Sequence, residues 1–503
     1  MTTQLKYTIP TDASIPFHNN AAYCIGTGRM GLALQKAYHD QLKLVQEDIH
    51  FSHIRGHGLF SDDMAIYHVY DEDGAEKVEY NFTYSDMVID DYLSLGVRPF
   101  LELGFMPEKL ASGEQTIFYW KGNVTPPKDY NKWAELIKTT LNHMISRYGS
   151  EEALSWPIEV WNEPNLSGFW KGADMQEYFK LYDVSARAVK EADPRFKVGG
   201  PAICGVDDER WLREFLNHCA KHNVPIDFVT RHAYATESPY RAGHYAYQKL
   251  RSPRVFLDEL AVSRNIIDSF PEYKGMEMHI TEFNTSYTPR NPIHDTNLNA
   301  AYIARLLSEM GDTCASYSYW TFGDIFEEQG VAFTPFSGCF GLVANGLIRK
   351  PTFWAFAFYN RMKGSGIART DDFILTKDTD GTVYGIAWNP VEYIKKKSDR
   401  KLRIDLAIDS GDYALITRLV DEVTCNPLKT WLDLGSPNNP SGEQLELIRS
   451  CSLPQTATRR IEVSDGNAGL EFTLSRNALL YFELRKINPQ VDRGFMADRI
   501  QGV

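Results

Sequence analysis

From Pro157 to Ile203 the chain reads PIEVWNEPNLSGFWKGADMQEYFKLYDVSARAVKEADPRFKVGGPAI. It opens on a short apolar run, Pro157–Asn162, of strand length. Tyr178, Leu181, Val184, Ala188 and Val189 then recur at the spacing of one helix face. Asp193-Pro194 stops the pattern, because proline cannot extend a helix. Val198–Ile203 is a second apolar run. A strand, a helix and a strand in succession predict two parallel strands joined by a crossover.

The same alternation extends in both directions from this unit. Further strands are expected at Tyr23–Thr27, Phe51–Gly56, Arg98–Phe105, Phe228–Ala233, Met278–Phe283 and Tyr317–Phe322. Helical spacing recurs at Trp133, Leu136, Ile137, Leu141, Met144, Ile145 and Tyr148, and again at Ala301, Ile303, Ala304 and Leu307. Eight such units predict a (β/α)8 TIM barrel with enlarged loops, over residues 16–362. A chain of 503 residues is too long for one core.

The texture changes near residue 365. Phe373–Thr376, Val383–Trp388, Leu402–Ile408, Tyr413–Val420, Arg460–Val463, Leu470–Leu474 and Leu479–Leu484 are short strands, the first two separated by the turn signal Asp378-Thr379-Asp380-Gly381. Leu402, Ile404, Leu406 and Ile408 alternate with Arg403, Asp405 and Ala407, the pattern of a half-buried antiparallel strand. A C-terminal antiparallel β-sandwich is therefore expected over 363–487, with Gly435–Gly442 as a loop. Residues 1–15 read as an N-terminal segment that joins the sandwich, and 488–503 as a tail or oligomerisation arm.

Composition narrows the function. Lys and Arg number 53 against 66 Asp and Glu, a net charge of −13. That disfavours nucleic acid and anionic membrane, which both demand basic surfaces, and suits a neutral small-molecule ligand. The seven cysteines are scattered without a Cys-x-x-Cys pair, so neither a disulfide framework nor a zinc site is expected. No basic start followed by an apolar run opens the chain, and no segment has the length of a membrane span, so a cytoplasmic enzyme is expected. Aromatics at 13% fit either sugar-stacking surfaces or a large aromatic core.

Two glutamates carry the chemistry. Glu163 lies in Trp161-Asn162-Glu163-Pro164-Asn165, off the carboxyl end of the fourth expected strand, where barrel active sites sit. Pro164 cannot extend a ladder and is expected to hold Glu163 extended at the strand's mouth. Asn162 beside it can donate to a sugar hydroxyl. Glu282 lies in His279-Ile280-Thr281-Glu282-Phe283-Asn284, off the seventh strand. Strands four and seven of an eight-strand barrel are nearly opposite, so the two carboxylates can flank one bond, as glycoside hydrolysis requires.

On these motifs the chain resembles retaining glycosidases of clan A, and more narrowly the β-xylosidases of glycoside hydrolase family 39. The resemblance rests on Gly26-Thr27-Gly28-Arg29, Ile54-Arg55-Gly56-His57-Gly58, Trp161-Asn162-Glu163-Pro164-Asn165, Thr281-Glu282-Phe283-Asn284 and Tyr319-Trp320-Thr321-Phe322. It implies Glu163 as general acid/base, Glu282 as nucleophile and Asn162 as partner of the sugar's 2-hydroxyl. It further implies that His57, Tyr234, Tyr287, Trp320 and a carboxylate within Asp324–Glu328 line the same subsite, Glu327 being preferred over Glu328. The activity implied is exo-acting β-xylosidase on xylo-oligosaccharide ends, by a homotetramer without metal or cofactor. Other specificities of the family, α-L-iduronidase or arabinosidase among them, stay open, as does a sugar-binding protein without turnover. Gly26-Thr27-Gly28-Arg29-Met30-Gly31 also matches a dinucleotide-binding glycine motif. Its acidic partners would be Glu47 or Asp48, which precede the second strand rather than end it, so the NAD-dependent oxidoreductase reading is the weaker one.

Overall fold

The computed structural model describes residues 3–10, 12–332, 334–391, 398–490, 495–496 and 499–500. Eight parallel strands close into a barrel: β1 (Cys24–Arg29), β2 (His53–His57), β3 (Arg98–Leu103), β4 (Ile158–Val160), β5 (Val198–Ile203), β6 (Phe228–Tyr234), β7 (Met278–Asn284) and β8 (Ser316–Tyr319). They follow the ring in chain order, β8 pairing back onto β1 through Tyr319 and Ile25. Each falls where an apolar run predicts a strand. Three stop earlier than expected: β3 at Leu103, β4 at Val160, because Trp161 turns to φ 72°, and β8 at Tyr319. Pleated backbone cannot continue through a left-handed residue.

Long helices follow the strands, and their starts are locally encoded. Asp129 caps the helix Tyr130–Tyr148, Asp174 the helix Met175–Ala192, and Ser252 the helix that begins at Pro253. Each cap side chain accepts from an N–H that the first turn leaves unpaired. The helix Met175–Ala192 ends just before Asp193-Pro194, as the sequence requires.

Beyond the barrel, β9 (Ser365–Arg369), β10 (Phe373–Lys377), β11 (Val383–Trp388), β12 (Arg400–Ala407), β13 (Gly411–Val420), β14 (Gln455–Val463), β15 (Asn467–Leu474) and β16 (Leu479–Ile487) form two further sheets. The six-stranded sheet runs β9-β10-β11-β16-β13-β14 and is antiparallel throughout. In the other, β12 pairs antiparallel with β15 and parallel with the N-terminal strand Thr3–Ile9. Side chains on the six-stranded sheet alternate between two cores. Phe373, Leu375, Ala387, Leu480 and Phe482 share one cluster with Leu402, Ile404, Leu406 and Leu470 of the smaller sheet. Ile374, Ile386, Trp388, Leu479 and Tyr481 join the barrel's core instead, where Tyr481 stacks on Phe358 with centroids 5.2 Å apart. Two helices between β13 and β14, Pro427–Asp433 and Gly442–Ser450, were not anticipated. Their local signals are Asn426 before Pro427 and a capping box of Ser441 with Gln444. Part of the expected arm 488–503 lies outside the described residues. Among the described residues, no helix is long and apolar enough to cross a membrane.

Candidate active site

A cavity of about 820 Å3 opens at the carboxyl ends of the barrel strands, and Glu163 and Glu282 both line it. The chain leaves β4 through Trp161, whose indole N–H donates to the Phe169 carbonyl at 2.8 Å. Glu163 then takes φ 45° rather than the extended backbone expected beside Pro164. Its N–H donates to the Ala202 carbonyl in the next strand at 2.9 Å, and its own carbonyl accepts from Leu166 N at 3.0 Å. These bonds override the local preference that the proline sets.

The floor of the cavity is organised by Arg55, which is fully buried. Its Nε donates to Glu159 Oε2 at 2.8 Å, and Nη1 to Glu282 Oε1 at 2.5 Å. Nη2 donates to Asn162 Oδ1 at 2.9 Å and reaches Glu102 Oε2 at 2.8 Å. A guanidinium only donates, so it fixes the Asn162 carbonyl toward itself and leaves the amide NH2 for the cavity. Thr281 Oγ1 donates to Glu159 Oε1 at 2.7 Å, so both oxygens of that carboxylate are bonded. The second oxygen of Glu282 accepts from the Tyr234 hydroxyl at 2.7 Å.

Two imidazoles complete the polar centre. His57 Nδ1 lies 2.8 Å from Glu102 Oε2, and its Nε2 lies 3.6 Å from Glu282 Oε1. His57 is held between rings of Phe105, Phe118 and Trp320. His232 Nδ1 lies 2.8 Å from Glu163 Oε1 and 3.4 Å from Glu282 Oε2. Burial, then the charge of Arg55, pushes the His57 pKa down to about 3 and that of His232 well below its usual range. Both rings are neutral near pH 7.

One guanidinium therefore faces many carboxylates, and the surplus shows in their acidities. Burial, followed by the negative charge of Glu282, holds Glu163 well above the usual carboxyl range. Burial also raises Glu282, but Arg55, His57 and the Tyr234 hydroxyl oppose it. Glu102 is raised by burial to about 8 although Arg55 opposes. The pair of Glu163 and Glu282 is thus divided into a carboxyl that keeps its proton and a carboxylate that is supported as an anion.

Of the other expected residues, His57, Asn162, Tyr234, Tyr287 and Trp320 all line the cavity. The Tyr287 ring meets that of Tyr234 edge-on at 6.1 Å. Glu327, the expected carboxylate of the β8 loop, is placed elsewhere: Arg29 Nη2 donates to its Oε2 at 2.8 Å. The carboxylate that this loop presents to the cavity is Glu328, pushed well above its usual range by burial and then by the charges of Glu282 and Glu163. Arg55, Glu102, Glu159 and His232 were not singled out from sequence. Their signal was a charged or imidazole side chain inside an apolar strand, as in Phe100-Leu101-Glu102-Leu103 and Ile158-Glu159-Val160.

The glycine motif off β1 has a packing role. A Cβ on Gly28 would stand 3.2 Å from both Leu32 and Phe326, and one on Gly26 would stand 2.6 Å from the Trp320 ring. Among the described residues, the one group of donors near enough to share a metal ion is Glu163, His232 and Glu282, one atom of each lying within 4.8 Å of the others. These atoms already bond to one another, to Arg55 or to Tyr234.

Comparison with known proteins gives the same direction. The model of glycosyl hydrolases family 39 matches residues 7–468. A beta-xylosidase of Geobacillus stearothermophilus is 47% identical over 485 residues, covering 96% of each chain. One from Caldicellulosiruptor saccharolyticus is 36% identical over 443 residues, covering 86% of this chain and 88% of the relative. The solved structure of a monomeric beta-xylosidase from Caulobacter crescentus superposes with a TM-score of 0.88 at 32% identity, over 97% of this chain and 100% of that one.

Proposed function

The chain belongs to glycosyl hydrolases family 39, and from that premise we propose that it is a retaining exo-β-xylosidase acting on xylo-oligosaccharides or simple β-xylosides by double displacement. The observation that carries this reading is the unequal pair of carboxylates, with an oxygen of Glu163 and one of Glu282 within 4.8 Å. Retaining glycosidases hold the two groups about 5–5.5 Å apart, whereas inverting ones leave roughly 6.5–9.5 Å for a water. The xylose specificity is supported by the relatives' activity.

In the first step Glu163 donates its proton to the glycosidic oxygen while Glu282 attacks the anomeric carbon. Arg55 and Tyr234 hold the attacking carboxylate by its two oxygens. The freed Asn162 amide donates to the 2-hydroxyl, Trp320 and Tyr287 wall the ring, and Glu328 accepts from a further hydroxyl. Once Glu282 is an ester its charge is gone, so the second cause of the raised pKa at Glu163 disappears. Glu163 then accepts a proton from water, which attacks the same carbon and restores the original configuration. His232 Nδ1–H supports the carboxylate form of Glu163 at that stage.

The test is a panel of aryl glycosides of xylose, arabinose, glucose and galactose, with the first-formed anomer read by proton NMR. The β-xyloside should be the best substrate and give β-xylose first. Release of α-xylose overturns the retaining assignment, and preference for another glycone overturns the specificity. The two outer sheets are read as a β-sandwich domain, supported by their shared core. A homotetramer is proposed from the family resemblance, against the monomeric Caulobacter relative, and sedimentation analysis decides between them. A cytoplasmic location is supported by seven cysteines that stand as free thiols.

A further inference from the structure

The loop after β8 presents Glu328 to a cavity whose other carboxylates repel it. Among the described residues, no helix or strand of more than an isolated bridge falls between Tyr319 and Val343 to hold it there. Instead, three consecutive residues are each held from a different strand end or loop of the barrel mouth. Arg29, the last residue of β1, donates to Glu327 Oε2 at 2.8 Å. Tyr119 N, from the loop after β3, donates to the Glu328 carbonyl at 2.9 Å. Arg290 Nη2, from the loop after β7, donates to the Gln329 carbonyl at 2.7 Å. Phe326 anchors the near side, edge-on to Trp320 and Phe340 at 6.1 and 5.2 Å.

Arg29 joins the most elements. Its second guanidinium nitrogen bonds Asp63 in the loop after β2, and its Cζ lies 5.9 Å from the centroid of the Trp120 ring of the loop after β3. Gly31 is the seat of this arrangement: a Cβ there would collide with both the Asp63 carboxylate and the Arg29 guanidinium. We propose that Arg29 is a positioning residue for hydrolysis, a forked clip between Asp63 and Glu327 that sets the backbone from which Glu328 reaches the sugar. Thus the last glycine of the motif off β1 serves the glycone subsite rather than a nucleotide. The proposal rests on the reading of Glu328 as a contact to a sugar hydroxyl. An arginine suits the task, because its planar fork serves two carboxylates where a lysine supplies one point charge.

The test compares steady-state kinetics on an aryl β-xyloside for Arg29→Met, Arg29→Lys, Glu327→Gln, Glu328→Gln and the double variant Arg29→Met/Glu328→Gln. Glu328→Gln should lower kcat/KM strongly. Arg29→Met should lower it about ten- to hundredfold, mainly through KM, as a displaced contact does. The double variant should be no worse than Glu328→Gln alone, because both changes remove one contact. Arg29→Lys should recover part of the loss, and Glu327→Gln should reproduce Arg29→Met on a smaller scale. Should Arg29→Met fail to fold, Glu327→Gln carries the same comparison. A damaging Glu328→Gln with silent Arg29→Met and Glu327→Gln overturns the clip alone. Additive losses in the double variant also overturn it, since Arg29 then acts elsewhere. A silent Glu328→Gln overturns the reading of Glu328, and the clip with it.

Discussion

Two buried cations sit near the same end of the barrel, and they differ in what surrounds them. Lys350 Nζ lies 2.7 Å from Asp295, 2.6 Å from Asp324 and 2.8 Å from the Cys339 carbonyl. The remaining oxygens of those two aspartates accept from Gly338 N and Gly341 N. Every group there has a partner, and the unit is a fixed tie between the β7 and β8 loops. Arg55 instead touches three glutamates, with Glu163 and Glu328 facing the same cavity and two neutral histidines beside them. Its surroundings carry more negative charge than one guanidinium can offset. Burial displaces acidities in both, pushing Asp324 beside Lys350 up to about 6, but the Arg55 cluster lies on the cavity, where such displaced acidities can serve acid–base catalysis.

The largest effects should come from the two carboxylates themselves. Glu282→Ala should abolish turnover of every substrate, because no covalent intermediate can form. Glu163→Ala should slow the second step by about 10²–10⁴-fold, the range of general acid–base catalysis, while an activated aryl xyloside still gives a burst of phenolate. Azide should then rescue that variant and yield the β-glycosyl azide. Rescue of Glu282→Ala with an α product would exchange the two roles.

Next come the cations. Lys350→Met and Arg55→Met should each cost about 3–5 kcal/mol in denaturant titrations, because each strands buried carboxylates. Only Arg55→Met should also move the acid limb of kcat/KM, and to higher pH, because Arg55 lowers the pKa of Glu282. An equal movement in Lys350→Met would erase the distinction between the two clusters.

A subtler effect concerns Glu163. In enzyme trapped with a 2-fluoro sugar on Glu282, the pH dependence of reactivation should report a Glu163 pKa below the basic limb of turnover, since one cause of its elevation is gone. Coincident values would remove Glu282 from the explanation.

The smallest effect is on stability. Glu102 titrates near 8 when folded and about 4.3 in an unfolded chain, so the folded state holds the extra proton between those values. Its contribution is therefore full below about pH 4 and declines as pH rises toward 8. Thermal midpoints measured from pH 5 to 8 should fall less in Glu102→Gln than in the parent. Parallel slopes would mean that Glu102 is ionised throughout.

The barrel was legible because each strand is a short apolar run, and because several connecting segments, such as that from Trp133 to Tyr148, keep the three-to-four spacing of a helix. Glu163 and Glu282 were legible because they end such runs. Arg55 was not, since its partners Glu159 and Glu282 lie 104 and 227 positions away, and no local pattern announces a pairing of that range. His232 is similar, its partner Glu163 lying 69 positions earlier. Glu327 and Glu328 are chemically alike neighbours in an irregular loop. Which one faces the cavity depends on Arg29, Tyr119 and Arg290, from the end of β1 and two other loops. The φ of Glu163 was misjudged for a related reason, because the Ala202 carbonyl that fixes it belongs to the next strand.

The strand Thr3–Ile9 has a consequence for how the chain is made. Its register runs from Thr3 opposite Arg400 to Ile9 opposite Leu406. On a ribosome adding about 5–20 residues per second, β12 emerges on the order of 20–80 s after its partner. Throughout that interval the whole barrel can emerge and close while the strand waits with its amide and carbonyl groups unpaired. An edge of that kind recruits other chains, and Lys6 and the short length of the segment are the protections it carries. A strand synthesised 397 positions before its partner (Thr3 against Arg400) is thus among the last to be seated, so a deletion there would be felt at the final stage of maturation.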